Sequence, residues 1–128
     1  MNMNTQNNEI ENLKAMADPT RLRLLSLLTA GELCVCDLTD TLRLPQSTVS
    51  RHMSRLRAAG LVIVQQRAKW HYYMLSNDTA KGWGQLRAFI ERLVTDEPYR
   101  SDRLRLQRLL SAKGTGDRPA CAKPQIKD

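Results

Sequence analysis

Between Thr41 and Asn77 the chain carries no aspartate and no glutamate, against Arg43, Arg51, Arg55, Arg57, Arg67 and Lys69. A stretch of that length with bases alone suits a polyanion better than a merely solvated face. Elsewhere the signs are mixed. Residues 1–40 hold six acids and three bases, and residues 78–128 hold seven acids and eleven bases, so the net charge is +7. Other absences exclude whole classes. No apolar run approaches the roughly 20 residues of a membrane span. Met1 to Asn8 lack a basic region followed by an apolar one, so a signal peptide is not expected and a cytoplasmic location is. Cysteine is scarce and odd in number, at three. In a reducing compartment that argues against a disulfide framework and for thiols that are inert or have a chemical task. There is no histidine–carboxylate cluster, no glycine-rich phosphate loop and no zinc deaminase or protease signature. Neither an enzyme nor a catalytic cofactor is therefore expected. No internal repeat or low-complexity segment is visible.

What is present fits one domain. The chain has 128 residues, 41% hydrophobic and 26% charged, enough for one modest core. Ile10, Leu13, Met16 and Ala17 recur at helical spacing. Asp18-Pro19-Thr20 ends that helix and starts another, with Asp18 as cap and proline at the first helical position. Leu22, Leu24, Leu25, Leu27 and Leu28 make the second helix apolar nearly all round, as a central core helix would be. Gly31 supplies a terminator. A short helix is expected over Cys34–Leu42, with Val35, Leu38 and Leu42 facing inward. Leu44-Pro45-Gln46 breaks it, and a longer basic helix runs from Ser47 or its neighbour to Gly60. Short helix, turn and basic helix form a helix-turn-helix pattern. Leu61–Gln65 and Trp70–Leu75 read as two strands around a basic tip, Gln66 to Lys69. Trp83, Leu86, Phe89, Ile90, Leu93 and Val94 form one more apolar stripe. Pro98 parts it from Leu104, Leu106, Leu109 and Leu110. The expected fold is mainly α with a β-hairpin wing over residues 1–112, followed by a flexible tail, 113–128, holding Gly114, Gly116, Pro119 and Pro124.

On a wheel at about 100° per residue, Val49, Met53 and Leu56 share the buried side of the basic helix. Ser47, Arg51, Ser54 and Ala58 point the other way, with Ser50 and Arg55 on the shoulders. Small polar residues at the start of a helix let it approach base edges in the major groove. Arg51 can donate two hydrogen bonds to guanine, and serine or threonine can serve bases or phosphates. Gln46 and Thr48 at the helix start complete that face. Arg55, Arg57, Arg67 and Lys69 suit phosphates, where they add affinity without sequence preference. His52, at the edge of the apolar stripe, reads as a packed, hydrogen-bonded residue. His71 alternates with Tyr73 and Leu75 on one strand face and also reads as structural.

Cys34 and Cys36 are the remaining unusual feature. Soft thiolates select soft ions, a preference that extends to trivalent arsenic and antimony. A helix N-terminus lowers a thiol pKa and favours the thiolate. On a helix, however, residues i and i+2 lie about 200° apart. Capture of one ion by both thiols is therefore expected to pull the first helical turn out of shape and so to disturb the basic helix that follows. Two plain alternatives leave the pair inert: two small buried residues, or an architectural DNA-binding protein with no signal.

Leu24–Leu28, Glu32-Leu33-Cys34-Val35-Cys36-Asp37-Leu38, Ser47–Met53, Leu56–Leu61 and Trp70–Leu75 together resemble the ArsR/SmtB family of winged-helix repressors, over roughly residues 9–112. The Glu-Leu-Cys-Val-Cys-Asp-Leu run is the specific part. It is most similar to the trivalent-arsenic sensors and next to the cadmium/lead sensors. The resemblance implies a homodimer joined through the first and later helices. It implies binding to double-stranded operator DNA and release when As(III) or Sb(III) binds Cys34 and Cys36. Arsenic sensors of this type often carry a third cysteine three positions after the second, and here Thr39 stands there. Either Cys121, within reach along an extended tail, or a small thiol or water would complete the site. Cadmium/lead sensors also use cysteines from an N-terminal extension, and residues 1–33 contain none. Zinc sensors of the family use histidine on a later helix, and residues 78–112 contain none. A thiol-redox sensor using the same cysteines is the other reading, against which stands the strained ring of a Cys-x-Cys disulfide.

Overall fold

A computed structural model describes residues 3–77 and 83–113, with side chains over 9–77 and 83–112. Helix α1 (Met3–Met16) meets α2 (Pro19–Leu28) at Asp18. The Asp18 carboxylate accepts from the Arg21 amide at 3.0 Å, and Pro19 fills the first helical position, as expected. Leu24, Leu25 and Leu27 are fully buried, which places α2 at the centre of the core. The helix ends at Leu28, and a turn through Thr29 and Ala30 closes on Gly31, which takes a left-handed φ of 130°.

A two-residue strand, β1 (Leu33–Cys34), comes next, followed by α3 (Val35–Leu42), α4 (Gln46–Ala58), β2 (Val62–Arg67) and β3 (Trp70–Leu75). The strands form one antiparallel sheet in the order β1-β3-β2. The basic helix begins at Gln46, the neighbour of Ser47, directly after the proline that sets its cap, as expected. Two sequence expectations need correction. Cys34 does not open the helix; it is extended (φ −81°, ψ 155°) and caps it from outside. The wing tip is two residues, Ala68 and Lys69, because Gln66 and Arg67 pair with His71 and Trp70. Backbone pairing does not depend on side-chain polarity, so the polar residues continue the ladder. Ala68 turns the chain at φ 55°, a conformation alanine rarely adopts.

Helix α5 (Trp83–Arg92), a single 3₁₀ turn (Leu93–Thr95) and α6 (Tyr99–Lys113) complete the described chain. Trp83 and Ile90 enter the core, whereas Phe89 stays 44% exposed. The α6 helix lies on α2 and α3. There Asp102 is fully buried, and its carboxylate accepts from Arg23 (2.8 Å, twice) and Arg105 (2.5 Å). Arg105 also donates to the Thr41 carbonyl at 3.0 Å, tying α6 to the end of α3. Of the expected flexible tail, 113–128, Lys113 is instead the last residue of α6, and residues 114–128, with Cys121, lie outside the described residues.

Candidate functional site

The cysteines sit where strand becomes helix. Because Cys34 is the extended N-cap and Cys36 is the second residue of α3, their sulfurs face each other at 3.0 Å. Two sulfur–metal bonds of about 2.3 Å can bridge that gap. The expectation that the thiols point apart until the helix deforms is therefore overturned: the cap conformation already brings them together. Two hydrogen bonds hold the junction. Cys34 Sγ accepts from the Cys36 amide at 3.2 Å, and the Asp37 carboxylate accepts from the Cys34 amide at 3.3 Å. This is a capping box with sulfur in the place of a hydroxyl. Its signal, Cys34-x-x-Asp37, was present in the sequence.

Electrostatics at the cap also differ from expectation. Burial pushes the Cys34 thiol above its ordinary range, and the nearby Asp37 and Asp40 carboxylates add to the rise. Amide hydrogen bonds from the helix end act the other way and are outweighed. Cys34 is a free, buried thiol. Thr39, standing where a third cysteine would be, donates its hydroxyl to the Cys36 carbonyl at 2.9 Å. Among the described residues no group of three or more histidine, cysteine, aspartate or glutamate side chains could hold a metal ion. Within these residues the soft donor set is the sulfur pair.

The basic face forms largely as the wheel implies. Val49, Met53 and Leu56 of α4 are fully buried. Gln46, Ser47, Arg51, Ser54 and Arg57 are exposed, and Thr48, Ser50 and Arg55 are half-buried. Proline at the cap leaves α4 with no side-chain cap, so its first amides can meet a phosphate. Arg55 donates to Glu11 of α1 at 3.3 Å. His52 is indeed packed and hydrogen-bonded, with its Nδ1 3.2 Å from Arg21 Nη1. At the wing, Lys69 lies 5.4 Å from the Trp70 ring centre. Arg67 is exposed but held by Glu32, an acid whose part was not visible in the sequence. No helix among the described residues is long and apolar enough to cross a membrane.

Comparison with known proteins agrees with this geometry. Residues 18–64 match the family described as "Bacterial regulatory protein, arsR family". The arsenical resistance operon repressor of Escherichia coli K12 is 35% identical over 102 residues, 79% of this chain and 80% of that protein. Among solved structures, HlyU from Vibrio cholerae superposes with a TM-score of 0.61 at 37% identity, covering 74% of this chain and 96% of that one. A possible transcriptional regulator for arsenical resistance gives 0.53 at 35% identity, covering 83% and 98%.

Proposed function

This chain belongs to the arsR family of bacterial regulatory proteins, a family of transcriptional regulators rather than enzymes, and from that premise we propose a repressor of a metalloid-resistance operon. As a cytoplasmic homodimer joined through α1 and the later helices it binds operator DNA with α4 and the wing. Capture of As(III) or Sb(III) by Cys34 and Cys36 releases it.

One observation supports the ligand above all: the two sulfurs stand 3.0 Å apart at the cap that joins the sheet to α3. With Cys36 reduced, each thiol exchanges its proton for a bond to arsenous acid. One hydroxyl leaves as water for each thiolate bond, and no electrons change hands. Cys121 or a small exogenous thiol supplies a third bond, or a hydroxyl remains. The ligand-bearing state must bind operator less well, and by linkage operator must weaken ligand binding equally. The cap is the place where this is enforced. A sulfur committed to arsenic is a poorer acceptor for the Cys36 amide, so the junction between β1 and α3 shifts without α3 unwinding.

A second reading, redox control through the same thiols, draws on the 3.0 Å approach of the Cys34 and Cys36 sulfurs. A thiol so placed is within reach for thiol–disulfide exchange. Fluorescence anisotropy on a promoter fragment from the protein's own operon separates the readings. Arsenite in excess reductant is expected to release the wild type but not Cys34→Ser or Cys36→Ser, and Cys121→Ser decides the third ligand. Release by an oxidant alone, with arsenite inert under reducing conditions, replaces the metalloid reading with the redox one.

A further inference from the structure

The wing is wired to the cysteine cap. Strand β1 is two residues long, and both pair with β3: Leu33 with Tyr73 and Cys34 with Tyr72. Glu32 immediately precedes that strand. Its two carboxylate oxygens accept from the two Nη atoms of Arg67, at 2.5 and 2.6 Å, in a fork-to-fork pair. The Arg67 guanidinium also donates to Gln65 at 2.9 Å and lies 4.7 Å from the centre of the Tyr72 ring. Arg67 is the last residue before the wing tip and faces Trp70 across the hairpin. Arg67 is thus gripped by Glu32 on one side and rests on Tyr72, the strand partner of Cys34, on the other.

The pair is exposed, at 47% for Arg67 and 37% for Glu32. Ion pairs of that exposure contribute little to stability. What a bidentate pair does well is fix orientation. We propose that Glu32 is a positioning residue of the wing: its carboxylate holds Arg67 and the tip in the orientation that serves operator DNA, and ligand capture at Cys34 loosens the wing by drawing Glu32 away. This rests on the thiol-capture and operator-binding reading above. It adds the route between the two: through the sheet rather than through α3 and the turn into α4. Cys34 is two residues from Glu32 along the chain and one hydrogen-bonded strand from Tyr72. A shift of β1 at the cap therefore reaches Arg67 through Glu32 and through Tyr72.

The test uses the full chain labelled with 5-fluorotryptophan. Its two tryptophans give two fluorine resonances, with Trp70 assigned by Trp70→Phe. In the wild type, arsenite under reducing conditions is expected to shift the Trp70 resonance without DNA present and to lower operator affinity. In Glu32→Gln, arsenite still binds, as read by thiolate-to-arsenic ultraviolet absorption, but the Trp70 shift is lost. The ratio of operator Kd with and without arsenite falls at least about fivefold, the low end of ordinary coupling. That ratio cancels any change that removing a negative charge makes to DNA binding itself. A purely structural role would weaken operator binding and leave the ratio alone. Equal Trp70 shifts and equal ratios in wild type and Glu32→Gln overturn the link while sparing the functional reading. Arsenite that moves neither resonance nor affinity in the wild type defeats both.

Discussion

His52 illustrates how a residue on α4, the helix proposed to read the operator, answers to the interior. Burial holds its imidazole below the ordinary 6.5, and the Arg21 guanidinium 3.2 Å away, together with Arg51, also disfavours the proton, although Asp18 opposes them. The folded protein therefore binds this proton less readily than the unfolded chain. Stability is fully present above pH 6.5 and declines as the pH falls below it, because the unfolded state takes up the proton first. Urea midpoints measured from pH 7.5 to 5.5 should fall, and His52→Gln should flatten that slope. An unchanged slope in the variant would assign the loss to other groups. The packed role of His52 was legible from its place at the edge of the apolar stripe, but its partner was not, because Arg21 lies 31 residues away. Cys34 was legible in the same partial way. Its residue type announced thiol chemistry, yet the helix-end rule gave the wrong sign for its pKa. Burial, helped by the Asp37 and Asp40 carboxylates, exceeds the influence of the amides, and burial cannot be read from spacing.

At the level of elements, periodicity located the described α-helices and both wing strands, because each carries an apolar face whose spacing survives in the sequence. It failed where position is set by pairing alone. Strand β1 is too short to show alternation, and it exists because Leu33 and Cys34 find β3. The attachment of α6 was also hidden. Asp102 reads as one acid among many bases, but it is fully buried and accepts three hydrogen bonds from Arg23 and Arg105, with Arg103 adding donations to the Ser26 carbonyl and the Thr29 hydroxyl. Removing one partner of such a group leaves the others charged and poorly solvated. Arg23 and Arg105 keep 28% and 34% exposure, so water recovers part of the loss. Asp102→Asn should then destabilise the fold by about 2–3 kcal/mol, at the lower end for a broken buried pair. Denaturant unfolding would reveal it as a lower midpoint at unchanged slope. A loss below about 0.5 kcal/mol, the level of an ordinary surface change, would mean that α6 is held by Leu106 and its apolar neighbours alone.

Across the whole molecule, the exposed apolar residues mark what the single chain leaves unfinished. Ile10 and Leu13 of α1 are 51% and 56% exposed, and Phe89 of α5 is 44% exposed. These belong to the helices through which the proposed homodimer forms. Helix α4 is bonded to the same surface, since Arg55 donates to Glu11 of α1. Pairing of α1 and α5 between two copies would fix the separation of their two α4 helices, as two half-sites one turn of DNA apart require. A symmetric interface counts each substitution twice. Burying a leucine contributes about 2 kcal/mol. Leu13→Glu should therefore weaken the dimer by about 4 kcal/mol, on the order of a thousandfold in Kd. Its effect on the monomer fold should be small, because Leu13 is more than half exposed. Sedimentation equilibrium should show the wild type as a dimer and the variant as a monomer, and operator affinity should fall with the dimer population. A variant that stays dimeric would move the interface off α1 and remove the reason for its exposed leucine. A monomeric variant that still binds the full operator as tightly as the wild type would mean that α4 and the wing of one chain suffice.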